Sequence, residues 1–330
     1  MHHVTLHGTP AEMGAQHGAL MLNQPLQLPE PTAQMLELAK GCEAAVLRHT
    51  PALVEEMHAF AEAAQLPYDA FMSLTLTAPL QQNMPSCSVV AVMPERSANG
   101  KLLIGRNYDF AYDISWEGAT TYTTTPASGH AHIGSCDIWI GREDGLNAVG
   151  LFAAMSATFI PGVQPGLPFW FIVRHILETC TTVDEAADWI QTVPHSQSRN
   201  YMLADGQKAV VAEASIHGVC LREPEDGVLV MTNHPAHPEL KPQAVFVPDD
   251  SHMRFDRLRA LAAQQVGIRY EDMAQALNDR TSRVCAHMQH EHHGYGTIWS
   301  VIAYPEDRQL AIAPGTGDDH STMVYQEYTL

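Results

Sequence analysis

Hydrophobic positions along the chain change their period near residue 86, and the two parts predict different architecture. Before that point the spacing is helical. An Ala-rich stretch broken by Gly14 and Gly18 follows Pro10, and two longer segments come after it. Residues 32–50 set Met35, Leu36, Leu38, Ala39, Ala45, Val46 and Leu47 on helical intervals, and residues 51–65 repeat the pattern with Leu53, Val54, Met57, Phe60, Ala61 and Ala64. Residues 69–76 predict a further short helix. The segment 1–86 is thus read as helical.

From Ser86 the texture alternates. Residues 88–93 and 101–106 predict two strands, and Asn99-Gly100 between them marks a β-hairpin. More short strands are predicted over 120–125, 138–141, 147–155, 201–205, 209–214, 228–233, 297–304 and 309–313. Residues 168–180 with 183–191, and 251–265 with 270–278, predict two helical pairs, with Thr182 or Asp184 capping the second helix. Strands, then helices, then strands again predict an α+β fold with mainly antiparallel sheets.

Composition sharpens this picture. At 45% hydrophobic and 17% charged residues, disorder is excluded and a sizeable core is expected. The net charge of −19 repels phosphate backbones and anionic lipid surfaces, which argues against nucleic-acid or membrane partners. The longest nearly apolar run, 149–160, is too short to span a bilayer, and residues 1–18 carry no apolar targeting segment. Six cysteines without a CxxC spacing read as reduced thiols, so a cytoplasmic protein is expected.

Cys87 stands apart from the other five. It opens the first strand of the hairpin, and the second strand ends in Arg106-Asn107-Tyr108-Asp109, so the turn returns Arg106 and Asp109 to its side. A neighbouring cation favours a thiolate and a carboxylate can orient an amine or water, as a nucleophile requires. The residues alone leave a second reading open, in which Cys87 is a small buried hydrophobe and Arg106 and Asp109 form a strand-end ion pair.

Five elements in order resemble a known family. They are Gly8-Thr9-Pro10-Ala11-Glu12-Met13-Gly14-Ala15-Gln16-His17-Gly18, then Ser86-Cys87-Ser88 with Gly100 to Asp109, then Asp144 to Leu151, then Thr232-Asn233-His234-Pro235, and Ser251-His252-Met253-Arg254-Phe255. Together they are similar to G-x-P-x-E-x-G-x-x-x-G, the nucleophile hairpin ending R-N-x-D, G-x-N-x-x-G-L, T-N-[NH] and S-x-x-R of the linear-amide C–N hydrolases. These Ntn hydrolases include the acyl-CoA:6-aminopenicillanate acyltransferases and β-alanyl-amine hydrolases, with penicillin V acylases and bile salt hydrolases (choloylglycine hydrolases) more distant.

The resemblance implies a four-layer αββα sandwich. It implies self-cleavage before Cys87, leaving residues 1–86 as a retained α-chain and 87–330 as the catalytic β-chain of the same domain. The freed α-amine would be the base for the Cys87 sulfur, Asp109 would hold that amine, Arg106 would flank the sulfur, and Asn233 would donate to the oxyanion. Arg254 is the second arginine of the site by this matching, with Arg257 as the substitute if the register differs. Where many self-cleaving members carry glycine before the nucleophile, this chain has Ser86. Asn147, Tyr108, Trp116 and Phe159 are the substrate-side candidates, with the turn-rich loop 161–168 beside them. A second oxyanion group is sought at Thr158 or at the backbone near Ala157.

The function this implies is hydrolysis of a linear amide through a Cys87 thioester, with acyl transfer to an amine as the alternative. The acidic surface favours a small-molecule amide with a cationic amine half, and an α/β heterodimer from one chain is expected, alone or in a homo-oligomer. No cofactor is expected and no residue is assigned to a metal. Two readings of other classes stand beside this one: an uncleaved small-molecule binding protein, and a metal-dependent hydrolase centred on His287 to His293, where His287 and His290 would share a helical face.

Overall fold

The computed structural model describes residues 1–22, 24, 28–81, 86–115, 118–264, 266–289, 294–317 and 321–330. Among these, the strands are β1 (His2–Gly8), β2 (Ser86–Val92), β3 (Leu103–Ala111), β4 (Thr120–Pro126), β5 (His132–Cys136), β6 (Asp144–Asn147), β7 (Phe152–Ala157) and β8 (Arg199–Ala204). They continue with β9 (Ala209–Ser215), β10 (Gly218–Arg222), β11 (Val228–Met231), β12 (His287–Gln289), β13 (Gly294–Tyr304), β14 (Gln309–Pro314) and β15 (Gln326–Thr329). The helices are α1 (Pro10–Met21), α2 (Ala33–His49), α3 (Pro51–Ala63), α4 (Tyr68–Gln81), α5 (Tyr112–Ser115), α6 (Phe169–Thr179), α7 (Val183–Thr192), α8 (Asp249–Gln264) and α9 (Tyr270–Leu277).

One sheet runs β1-β4-β5-β6-β7-β8-β9-β10 and the other β11-β2-β3-β13-β14-β15, with β12 paired to β13. Pairing is antiparallel except for β1 on β4. Period-two alternation explains the layering. On β2, Val89 and Ala91 point between the sheets while Val90 and Val92 meet Leu258 and Leu261 of α8. On β7, Phe152 and Ala154 fill the space between the sheets, and Ala153 and Met155 meet α2–α4, α6 and α7. The result is helices, sheet, sheet, helices. No helix among the described residues is long and apolar enough to cross a membrane.

The amino-terminal segment is not wholly helical: His2–Gly8 is a strand at the edge of the first sheet, aligned with Thr120–Pro126. Thr9 then caps α1, with Pro10 in its first turn and Glu12 closing a capping box onto the Thr9 backbone. Gly14 and Gly18 let α1 lie directly on α3, since a Cβ at either would sit 2.3 Å from the carbonyl oxygen of Glu56 or Phe60. A buried ion pair, Arg174 to Glu56 at 3.2 Å, fastens α3 to α6. Thr182 caps α7, its hydroxyl accepting the Glu185 N–H. Residues 138–140, within the predicted strand 138–141, form bends instead, and Gly141 after them packs against Trp170 too closely for a Cβ. The predicted strand 147–155 is two strands with a turn between them.

The close α1–α3 approach gives a direct test. Gly14→Ala or Gly18→Ala is expected to lower stability by about 1–3 kcal/mol, the usual cost of overpacking, read as a lower urea midpoint with an unchanged slope.

Candidate active site

Cys87 is the second residue of β2, opposite Tyr108 of β3. On the other side β11 pairs Met231 with Val89, and continuing that register sets Asn233 opposite Cys87. The Thr232–Pro235 turn that carries Asn233 is pinned from several directions. Ser251 Oγ accepts the Asn233 N–H at 2.9 Å and contacts His234 Nδ1 at 2.8 Å, while Asn200 Nδ2 donates to the Thr232 and His234 carbonyls at 3.3 and 3.2 Å. Ser251 and Arg254 lie three residues apart on α8, one helical face, which is what S-x-x-R accomplishes here. Ser251 fixes the turn, and Arg254 reaches past it to the nucleophile strand.

At the centre, the Cys87 N–H donates to Asn233 Oδ1 at 2.6 Å. Arg254 donates to the same oxygen at 3.0 Å, to the Cys87 carbonyl at 2.5 Å and to Ser88 Oγ at 2.9 Å. Two donors converging on Oδ1 fix the orientation of the Asn233 amide. Its Nδ2 faces the other way and donates to the Ala157 carbonyl at 3.1 Å. Asn233 grips the nitrogen of Cys87, and one of its two amide hydrogens is already engaged. Arg257 points away, paired with Asp279 at 2.6 Å, so Arg254 is the arginine that reaches Cys87.

The Cys87 thiol faces the space between the sheets with Tyr108 and Trp299. Burial pushes it up to about 11, with Asp109 and Glu143 opposing ionisation and Arg106 and the Asp109 N–H favouring it. Arg106 is fully buried and reaches across to the other sheet, where it pairs with Asp144 and donates to the Glu143 carbonyl at 2.9 Å. Asp144 also accepts the Trp299 indole N–H at 2.8 Å. Tyr108 donates to Asp137 and Glu143 at 2.9 and 3.1 Å, and its ring stacks on Trp299. Glu143 is held well above the usual carboxylate range, first by burial and then by Asp137. Asp109 lies opposite Ser86, accepts the Thr297 hydroxyl at 2.6 Å and is raised to about 7 by burial, with Arg254 opposing.

Other predicted positions fall elsewhere. Asn147 is not a substrate contact: its amide donates to the Leu177 and Cys180 carbonyls and accepts the Val149 and Leu151 N–H groups, closing a turn beneath α6. Phe159 is half-buried and packs edge-on against Phe246. The Thr158 hydroxyl is buried with no hydrogen-bond partner among the described residues. Ser86 is buried, and its hydroxyl likewise has none. Trp116 lies outside the described residues, as do His290, His292 and His293. His287 is on a strand, not a helix, with its Nδ1 3.1 Å from the Tyr112 hydroxyl. Sequence reasoning missed Glu143 and the buried Arg199, which interacts electrostatically with Cys87.

Asp109 makes a pH prediction in an uncleaved Cys87→Ala chain. Its folded pKa of about 7 lies above the ordinary aspartate value of 3.8, so its contribution to stability is fully present below the unfolded pKa. That contribution is lost as pH rises through the folded value. In Cys87→Ala/Asp109→Asn the fall in urea midpoint between about pH 5 and pH 8 is expected to shrink, because Asn carries no titrating proton.

Comparisons with known proteins agree with this architecture. A variant of conjugated bile acid hydrolase from Clostridium perfringens superposes with a TM-score of 0.54 at 15% identity, over 74% of this chain and 92% of that one. The N-acylethanolamine-hydrolyzing acid amidase ortholog of Caenorhabditis elegans gives 0.50 at 16% identity, over 74% of this chain and all (100%) of that one. Both likenesses bear on the fold, which is the Ntn-hydrolase sandwich. An uncharacterized protein of Archaeoglobus fulgidus is 21% identical over 79% of this chain, which spans about half (55%) of that relative's length. The model of the acyl-coenzyme A:6-aminopenicillanic acid acyl-transferase family matches residues 96–319. That stretch contains Arg106, Asp109, Asn233 and Arg254 and begins downstream of Cys87. Matched over more than half its length, the chain belongs to the acyl-coenzyme A:6-aminopenicillanic acid acyl-transferase family.

Proposed function

We propose that this chain is a cysteine amidohydrolase that opens its own Ser86–Cys87 bond and then cleaves a linear amide through a thioester on Cys87. The observation that carries this reading is the grip on the Cys87 backbone, with its nitrogen on Asn233 and its carbonyl on Arg254. A backbone N–H held by a buried side chain at the start of a strand is the position an α-amine would occupy after cleavage.

In the processing step the Cys87 sulfur adds to the Ser86 carbonyl carbon. The C–N bond breaks, the nitrogen keeps the thiol proton, and a Ser86 thioester forms. The Cys87 α-amine is free from that point; water then adds to the thioester and releases the thiol and a Ser86 carboxylate. The intact chain pushes the thiol up to about 11, so sulfur needs a nearby base, and after cleavage the freed α-amine, with a pKa of roughly 7.7–8.0, is suited to take its proton in turnover. Asp109 Oδ2, buried and without a hydrogen-bond partner among the described residues, supports a role in accepting from the ammonium that forms. The second Asn233 amide hydrogen and the Thr158 hydroxyl are the candidate donors to an oxyanion.

In turnover the same sulfur adds to the substrate carbonyl, the amine leaves with a proton from the Cys87 ammonium, and water releases the acid. An amine in place of water would give acyl transfer from the same thioester. Glu143 and Asp137, joined through the Tyr108 hydroxyl on the thiol's side of the hairpin, support a substrate with a cationic amine half. Glu143 Oε2 has no hydrogen-bond partner among the described residues, and a substrate ammonium beside it would favour the charged form that burial otherwise opposes. Residues 1–86 would remain as an α-chain, because the α2, α3 and α4 faces share one apolar layer with α6 and α7.

Denaturing intact mass decides the processing step. Two fragments are expected, the larger beginning at Cys87, with a single chain in Cys87→Ala; a full-length wild-type chain that still hydrolyses amides would overturn the mechanism. For the substrate, Glu143→Gln is expected to lower kcat/KM for amine-bearing amides roughly tenfold to a hundredfold relative to neutral ones, the worth of one charge-assisted hydrogen bond. Equal losses on both classes would remove Glu143 from recognition.

A further inference from the structure

At the far edge of the molecule from β15, a thiol, an imidazole and a carboxylate meet where neither the fold nor the proposed chemistry uses them. Cys220 lies on β10, the edge strand of the first sheet, and His237 and Glu239 lie on the loop that leaves the Asn233 turn. Their ligand atoms all fall within 4.8 Å of one another. The Cys220 sulfur is 3.9 Å from Glu239 Oε2. Zn–S and Zn–O bonds of about 2.3 and 2.0 Å at a tetrahedral angle set those atoms about 3.5 Å apart, so the sulfur and the carboxylate oxygen are within a few tenths of an ångström of that spacing.

Three further observations bear on the cluster. Glu239 makes no ion pair with Lys or Arg among the described residues, although it sits beside a thiol on a chain of net charge −19. The loop is already held in place: Glu213, opposite Cys220 across β9 and β10, accepts the Ala236 and His237 N–H groups at 2.9 Å each and is itself held by Arg222 at 2.5 Å. His237 Nδ1 accepts a bond of 3.3 Å from the Glu239 N–H, which holds the imidazole beside Glu239.

We infer that Cys220, His237 and Glu239 bind a zinc ion, with water completing the fourth position. Soft thiolate with imidazole selects zinc over magnesium or calcium. Binding exchanges the Cys220 thiol proton for the metal, and the ion then carries the thiolate and carboxylate charges together. The site staples the edge of the first sheet to the loop that joins Asn233 to Arg254. It lies outside the Cys87 chemistry.

The test uses untagged full-length protein and cobalt(II) as the probe. Titration is expected to saturate near one equivalent, with a near-ultraviolet thiolate-to-cobalt band that zinc displaces. Cys220→Ser should lose the band while keeping the wild-type circular dichroism spectrum. Glu239→Gln, an exposed change that leaves the thiol intact, should bind cobalt about 10–100-fold more weakly, a loss of the size seen when supporting groups are removed. No thiolate band in the wild type, a band that persists in Cys220→Ser, or unchanged affinity in Glu239→Gln each overturns the site.

Discussion

The buried guanidinium of Arg106 ties the two sheets to each other, and the position of everything around the thiol follows from that link. It leaves β3, crosses the apolar layer, and meets Asp144 with the Glu143 and Met155 carbonyls on the opposite sheet. Taking a lone charge out of water costs several kcal/mol, so the arrangement holds only because each partner is fixed in turn. Asp144 is fixed by the Trp299 indole and the Ser135 N–H. The same cross-sheet link carries Glu143 to the side of Tyr108, so the charge that steadies the sandwich also sets the electrostatics of Cys87.

A second frame surrounds the backbone of Cys87 from the opposite face. Ser251, Arg254 and the Thr232–Pro235 turn form one network in which helix α8 reads the register of β11 against β2. A slip of one residue in that pairing would turn Asn233 away and expose Arg254 to an apolar layer. Strand pairing, helix docking and the hold on Cys87 are therefore parts of one condition.

Much of this was legible in the sequence, for physical reasons that differ by element. The hairpin was visible because Asn99-Gly100 separates two apolar runs, and Gly100 does take a left-handed φ of 70°. Helices α3 and α7 were visible from apolar spacing and, in α7, from the Thr182 cap. Strand β1 was hidden because an edge strand buries little: of its seven residues Leu6 alone is buried, and histidines occupy three of the others. Asn147 was readable both as a turn residue and as a substrate-side candidate, because asparagine serves turns and sites equally well, and the carbonyls of Leu177 and Cys180 hold it in the turn. Glu143 had no signal, since its value lies in a cross-sheet neighbour that no spacing reveals. Cys220 and His237 share no local motif either; the closing of β10 against the loop after β11 brings them together.

The apolar layer on the outer face of the first sheet draws α2, α3 and α4 from upstream of Cys87 and α6 and α7 from downstream. While the chain is continuous, rebuilding that layer after denaturation is a first-order event, independent of dilution. Once the bond before Cys87 opens, the same layer becomes an interface between two molecules, and recovery depends on how often they meet. Processing would thus convert a reversible fold into a kinetically trapped one without moving an atom of the core, and folding would have to be complete before the cut.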